Sequence, residues 1–227
     1  MLDQAAFIPG VVGDDPLREG FIQAFLLILF SEIGDKTFFI AVLLALQQSR
    51  SAVFVGTFGA LAVMTVISVA LGEALHKLDS LLPASSLPVD DLLAVALLVF
   101  FGVRTLQSAA EAEGKAAEEK EEAAEVVSGM GGGAAAATLA ASTFALVFAA
   151  EWGDKSFLAT IALAAASSPL GVVTGAIAGH GVATIIAVLG GSVLGRYLSE
   201  RVVQYVGGSL FLVFAAATIF DIVTGQH

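Results

Sequence analysis

The chain has no cysteine, which excludes both a disulfide framework and a thiolate metal site. It is also short of cations: 10 Lys and Arg stand against 21 Asp and Glu, a formal net charge of −11. That balance excludes a nucleic-acid partner, which needs a basic footprint. Charge of either sign is scarce, at 14% of 227 residues, whereas 57% are hydrophobic and the mean hydropathy is +0.91. Such a composition belongs to an integral membrane protein embedded in a lipid bilayer. The segment 1–20 carries Asp3, Asp14 and Asp15 and lacks the basic start of a cleaved signal peptide.

What the chain does have is long apolar runs, at 21–46, 52–75, 91–108, 135–165, 170–194 and 202–223. Each approaches or exceeds the ~20 residues that cross a bilayer as a helix. Breaks at Gln47-Gln48-Ser49-Arg50 and Ser167-Ser168-Pro169 read as tight turns between neighbouring helices, and Pro83 and Pro88 punctuate a longer loop. The expected fold is therefore all-α, with six transmembrane helices.

The chain also repeats itself. A shift of 119 residues aligns 25–75 with 144–194 without a gap, and 18 of the 51 positions are identical, among them Phe25/Phe144, Gly56/Gly175, Thr65/Thr184 and Gly72/Gly191. Three spans per copy is an odd number, so the second copy enters the membrane from the opposite side. That is an inverted repeat, the layout of many secondary transporters, with the site at the midplane where the copies meet. The expected organisation is an N-terminal extracytoplasmic segment 1–20, repeat 1 at 21–108, an acidic linker at 109–134 and repeat 2 at 135–227. One side carries Arg18 and Lys77, and the other carries Arg50, Arg104, Lys115, Lys120, Arg196 and Arg201. The positive-inside rule puts the second set in the cytoplasm, so the linker lies inside and both termini outside. The linker holds seven Glu and two Lys. It reads as a solvated, partly helical tether, with a cation-collecting or regulatory segment as the alternative.

The strongest signal is a polar hexapeptide that occurs twice inside apolar runs: Glu32-Ile33-Gly34-Asp35-Lys36-Thr37 and Glu151-Trp152-Gly153-Asp154-Lys155-Ser156. An ionised side chain at the bilayer centre costs roughly 2.5–3.5 kcal/mol even on the lenient insertion scale. On a continuous helix, residues three apart share a face, so Glu32 and Asp35 point one way, as do Glu151 and Asp154. The inverted repeat then brings four carboxylates together. Bare anions so placed repel, so the site binds a cation, protons or both. Oxygen-only ligands favour hard divalent ions such as Ca²⁺, Mn²⁺ or Mg²⁺. Thr37 and Ser156 are candidate neutral ligands. Gly34 and Gly153 have two readings, close helix approach or local unwinding that frees carbonyls. Lys36 and Lys155 offset part of the negative charge or form salt bridges that break during transport.

Other polar residues carry weaker signals. His180 lies mid-span at the position matching Leu61, and reads either as a proton relay or ion contact or as a hydrogen-bonded core histidine. Glu73 and Asp91 are expected to be solvated near span ends. Thr65, Ser68 and Thr184 are expected to bond to carbonyls in the preceding turn.

With both motifs complete, the chain resembles the small family of cation/proton exchangers that includes Golgi manganese/calcium transporters, chloroplast manganese transporters and bacterial manganese exporters. The resemblance covers nearly the whole chain. It implies a membrane antiporter, not an enzyme, that exports Mn²⁺ or Ca²⁺ from the cytoplasm in exchange for protons. In that reading Glu32, Asp35, Glu151 and Asp154 bind the metal and carry the protons, and the metal is transported substrate, with no cofactor. The short loops and the lack of a signal or transit peptide suggest a bacterial inner (plasma) membrane. A homo-oligomer is compatible with the sequence. Two alternatives are an intramembrane aspartyl protease, which also needs buried carboxylates on two helices, and a six-span amino-acid exporter.

The orientation is testable directly. Cysteines introduced at Ala117 and at Gln226 should be labelled by an impermeant thiol reagent from opposite sides of the membrane, Ala117 from the cytoplasm. Labelling of both from one side would remove the inverted-repeat argument.

Overall fold

A computed structural model describes residues 15–79, 89–109, 112–129, 135–194 and 199–224, and every regular element among them is a helix. In chain order these are α1 (Pro16–Glu32), α2 (Lys36–Gln47), α3 (Arg50–Asp79), α4 (Val89–Ala109), α5 (Ala112–Ser128), α6 (Ala136–Glu151), α7 (Lys155–Ala166), α8 (Pro169–Leu194) and α9 (Glu200–Thr224). Their ends follow local chemistry. Asp15 caps α1 by accepting from the N–H groups of Leu17 and Arg18 at 3.1 and 3.4 Å, and Pro16 occupies the first turn, where its missing N–H costs nothing. The expected turns fall where the sequence puts them. Gln48 and Ser167, both extended, close α2 and α7, and α3 and α8 start within two residues of them.

Among the described residues four helices are long and apolar enough to cross a membrane: Arg50–Leu78, Val89–Ala109, Pro169–Gly190 and Arg201–Thr224. The pair α6 and α7, bent by 70° at its break, makes a fifth when taken together. Of the six expected spans, the described residues thus give four, or five with the bent pair, and two of the expected spans are broken. The runs at 21–46 and 135–165 are each two helices, and α1 and α2, at 17 and 12 residues, fall short of a bilayer's thickness individually.

Packing follows the repeat. The helix α3 lies against α6, and α8 lies against α1, its counterpart under the 119-residue shift. In both contacts a glycine lets the backbones approach. A Cβ on Gly56 would meet the Ala140 carbonyl oxygen at 2.5 Å, and one on Gly175 would meet the Phe21 carbonyl oxygen at 2.2 Å. Phe21 and Ala140 are themselves 119 residues apart. Lipid is as apolar as a side chain, so association in a membrane rests on this kind of close fit. The helices α4 and α9 pair with each other along Gly102 and Gly208, which seat Leu212 and Leu106.

Two further expectations are revised. Asp91 and its neighbour Asp90 are buried at the start of α4, where Asp90 pairs with His76 Nδ1 at 2.6 Å, because α4 begins against the end of α3. Glu73, by contrast, is at the surface with Lys77 at 2.7 Å. The linker is more than a solvated tether. Its helix α5 packs along α2, and Ala123 and Val127 are buried in the same apolar cluster as Phe38 and Leu44.

Gly56→Ala and Gly175→Ala should each lower the thermal midpoint of the purified protein by about 5 °C, the shift for an overpacking cost of roughly 2 kcal/mol. Gly59→Ala, whose methyl would meet only the Phe144 ring at 3.5 Å, should leave the midpoint nearly unchanged. Differential scanning fluorimetry checks the ranking, and a reversed order would contradict the close-approach account.

Candidate metal and proton site

Each hexapeptide is a helix break written in sequence. Glu32 and Glu151 are the last residues of α1 and α6, and Asp35 and Asp154 are the N-caps of α2 and α7. Between them Gly34 and Gly153 take φ values of +85° and +83°. L-residues reach that region only at a cost, so glycine is the residue that turns the chain there. In both copies the Asp N–H then bonds to the Glu carbonyl, at 3.1 Å. That takes it away from its α-helical partner, the carbonyl of Ser31 or Ala150. Of the two readings of the glycines, local unwinding is therefore the one observed. A Cβ on Gly153 would meet nothing within 4 Å, so close helix approach plays no part there.

The break also separates the carboxylates of each motif. They do not lie along one helical face, as continuous helices would require, but in two tiers. Glu32 and Glu151 are buried at 3% and 2% exposure. Each sits at the C-terminal, electronegative end of its helix, a poor place for an anion. Each is met by the hydroxyl five residues on: Thr37 Oγ1 lies 3.5 Å from Glu32 Oε2, and Ser156 Oγ donates to Glu151 Oε2 at 3.1 Å. Each lines a small chamber of about 10 Å³. That is close to the minimum for one water-sized occupant. Asp35 and Asp154, at the favourable N-terminal ends of α2 and α7, line a separate cavity of about 430 Å³ together with Gly34, Gly153 and Lys155. The four carboxylates are near enough to repel one another. Among the described residues, however, no three carboxylate or imidazole groups close around a single point.

The two lysines part company. Lys155 donates across the repeat boundary to Asp35, while Lys36 turns outward to Glu122 of α5 at 2.7 Å. Of the two readings of the lysines, Lys155 makes a salt bridge within the motifs, whereas Lys36 is drawn to the linker. His180 Nδ1 faces Glu32 Oε1 at 3.7 Å. Thr65, Ser68 and Thr184 bond back to carbonyls one turn earlier at 2.8–2.9 Å, as expected.

Residues that sequence reasoning did not single out complete the large cavity: Arg104 of α4, Gln204 of α9, and Lys115 and Glu119 of α5. Partial burial, with Asp35 nearby, pushes the Glu119 carboxyl above the usual carboxylate range. Nothing in the run Glu111 to Glu125 distinguishes Glu119 or Glu122 from their neighbours, and only the docking of α5 does so.

The chain matches known proteins over most of its length. A family model described as divalent cation/proton antiporter GDT1 matches residues 20–113 and 139–226, which include both motifs. Protein PAM71, chloroplastic, of Arabidopsis thaliana is 61% identical over 223 residues, covering 95% of this chain and 60% of that protein. GDT1-like protein 1, chloroplastic, of Oryza sativa subsp. indica is 61% identical over 223 residues, covering 94% of this chain and 65% of that protein. GDT1-like protein sll0615 of Synechocystis sp. is 39% identical over 203 residues, covering 87% of this chain and 95% of that protein. The chain thus spans less than two thirds of the length of the two plant relatives. No solved structure matches it.

The turn at Gly153 can be tested without confusion from packing, since a side chain there has open space. Gly153→Ala should destabilise by about 1–2 kcal/mol, the cost of a left-handed L-residue, and Gly153→Asn by less, because Asn tolerates that region better. Thermal unfolding of the two variants checks this, and equal stability to the parent in both would refute the strained turn.

Proposed function

The chain belongs to the GDT1 family of divalent cation/proton antiporters, and on that premise we propose that it exchanges a divalent cation, Mn²⁺ or Ca²⁺, for protons and carries the metal out of the cytoplasm. The family is one of transporters rather than enzymes, which leaves the aspartyl-protease alternative without support.

The observation that carries this reading is the duplicated break, with one carboxylate buried on the helix side and a second opening on the 430 Å³ cavity. An anion pair so buried is stable only when protonated or neutralised by a cation. In the proposed exchange, a metal entering the cavity meets Asp35 and Asp154 first and displaces the Lys155 ammonium from Asp35. It then passes to Glu32 and Glu151, whose chambers have room for a single ion. Protons take the same carboxylates when the metal leaves, so no carboxylate stays bare in the membrane.

We further propose that the helices form six spans in two inverted halves. These are α1 with α2, α3 and α4, and then α6 with α7, α8 and α9. The recurrence of the Gly56–Ala140 contact at Gly175–Phe21 supports it. Rocking of one half against the other would expose the glutamates alternately to the two sides. With the linker inside, the large cavity faces the cytoplasm and both termini lie outside. The membrane is a bacterial plasma membrane on the sequence reading, or a chloroplast membrane on the location that the names of the plant relatives carry.

Proteoliposomes loaded with a pH dye test this proposal with Mn²⁺, Ca²⁺ and Mg²⁺ in parallel. Metal entry should drive protons outward, and apparent metal affinity should fall as pH drops, because protons and metal compete for the same oxygens. Asp35→Asn and Asp154→Asn should each lower the exchange rate by about tenfold or more. Metal flux indifferent to pH would indicate a uniporter, and amino-acid flux without metal competition would indicate the exporter.

A further inference from the structure

The two glutamate chambers are lined by residues that correspond under the 119-residue shift, yet the corresponding residues are chemically unequal. The Glu32 chamber has Ala41, Ala183 and Ala187 where the Glu151 chamber has Thr160, Met64 and Ser68, while Leu61 in the first half answers to His180 in the second. In these four pairs the polar or polarisable member lies on the Glu151 side, although Leu61 lines both chambers and the Glu32 chamber also has Thr57, whose counterpart Ala176 lines neither.

The hydroxyls have a local explanation: Ser68 and Thr160 donate to the carbonyls of Met64 and Ser156 at 2.9 and 2.8 Å. His180 has none. Its side chain is 5% exposed, and Nδ1 has no hydrogen-bond partner among the described residues. A buried nitrogen left in that state is destabilising and calls for a reason. Nδ1 points at Glu32 Oε1 from 3.7 Å, too far for a hydrogen bond. That separation suits two ligands of one ion. With metal–ligand bonds of about 2.1–2.4 Å and angles of about 90–110°, neighbouring donor atoms stand roughly 3.0–3.9 Å apart. The ring also lines the chamber of Glu151, so a single side chain on α8 borders both buried carboxylates.

We infer that His180 is a ligand of the transported ion, adding one imidazole nitrogen to the carboxylate of Glu32, and that this nitrogen favours a first-row transition ion such as Mn²⁺ over Ca²⁺ and Mg²⁺. The inference rests on the exchange reading above and specifies the substrate class of that site. Ca²⁺ and Mg²⁺ are held by oxygen and gain little from a nitrogen donor. Transition ions accept imidazole as well as carboxylate, and the neutral ring binds without adding charge to the site. The corresponding residue in the first half, Leu61, has no donor, so the nitrogen comes from one half only. The selectivity of the pair is then set by a departure from the repeat rather than by the motif.

Electron spin-echo modulation of Mn²⁺ bound to the full-length protein, grown with ¹⁴N- and then ¹⁵N-histidine, reads a coordinated imidazole directly. The native protein should show a histidine nitrogen on Mn²⁺. His180→Leu, which copies the first half, and His180→Gln should each lose it while still binding Mn²⁺ through the carboxylates. In proteoliposomes both variants should transport Mn²⁺ relative to Ca²⁺ about tenfold less selectively. Mn²⁺ exchange by native protein whose spectrum lacks histidine nitrogen, or an unchanged Mn²⁺/Ca²⁺ ratio in both variants, overturns the inference and leaves the exchange reading standing. Native protein that neither binds nor moves Mn²⁺ or Ca²⁺ overturns both. The native spectrum requires no substitution, so the outcome does not depend on the variants folding.

Discussion

A carboxylate cannot rest as a bare anion inside a bilayer, because no water is there to solvate it and the low dielectric magnifies its repulsion from every like charge nearby. Much of this molecule is arranged around that constraint. The helices bearing the motif are interrupted so that one acid of each pair ends a helix in a buried chamber while the other begins a helix beside an open cavity. Both interruptions need a residue that turns the backbone through positive φ, and glycine fills that position in each copy. The turn and the charge are thus one device. Without the break, Glu32 and Asp35 would face the same partners at the same depth, and the proposed exchange would have no separate places for entry and occlusion.

The repeat provides a frame, and its departures provide direction. Close contacts of α3 with α6 and of α1 with α8 recur at positions 119 residues apart, so the scaffold treats the halves alike. Charge does not. Lys155 reaches across to Asp35, whereas Lys36 leaves the motif for Glu122 on the linker helix. The Glu151 chamber is lined by Ser68, Thr160 and His180, whose counterparts in the repeat are Ala187, Ala41 and Leu61, with Leu61 lining both chambers. The linker helix belongs to neither half. By packing on α2 and placing Glu119 in the large cavity, it adds a third contributor to the mouth of the site. In the proposed exchange, the mouth would therefore carry a third acid, Glu119, near the lysine that a metal must displace.

Much of this was legible in the chain. Composition alone requires a membrane protein, since so apolar a sequence has nowhere else to bury its surface. The doubled hexapeptide identifies Glu32, Asp35, Glu151 and Asp154, because charge repeated at one depth of an apolar segment is too costly to be incidental. It also marks Gly34 and Gly153, although two uses for them stay open at that level. The turns at Gln48 and Ser167 follow from the polar residues between apolar runs. What the chain could not reveal is that the runs at 21–46 and 135–165 are each two helices. Hydropathy averages over the break, and the three residues that make it are too few to interrupt an apolar window.

The sequence by itself determined the solvent, the repeat and the four acids, because these depend on residue type and spacing along one dimension. The tertiary structure decided how the acids divide into a buried tier and a cavity-lining tier, which acid each lysine pairs with, and which glutamate of the acidic run reaches the cavity. It also decided that His180 faces Glu32 from another helix. These are distances between residues far apart in the chain, set by how helices pack, and no local pattern encodes them.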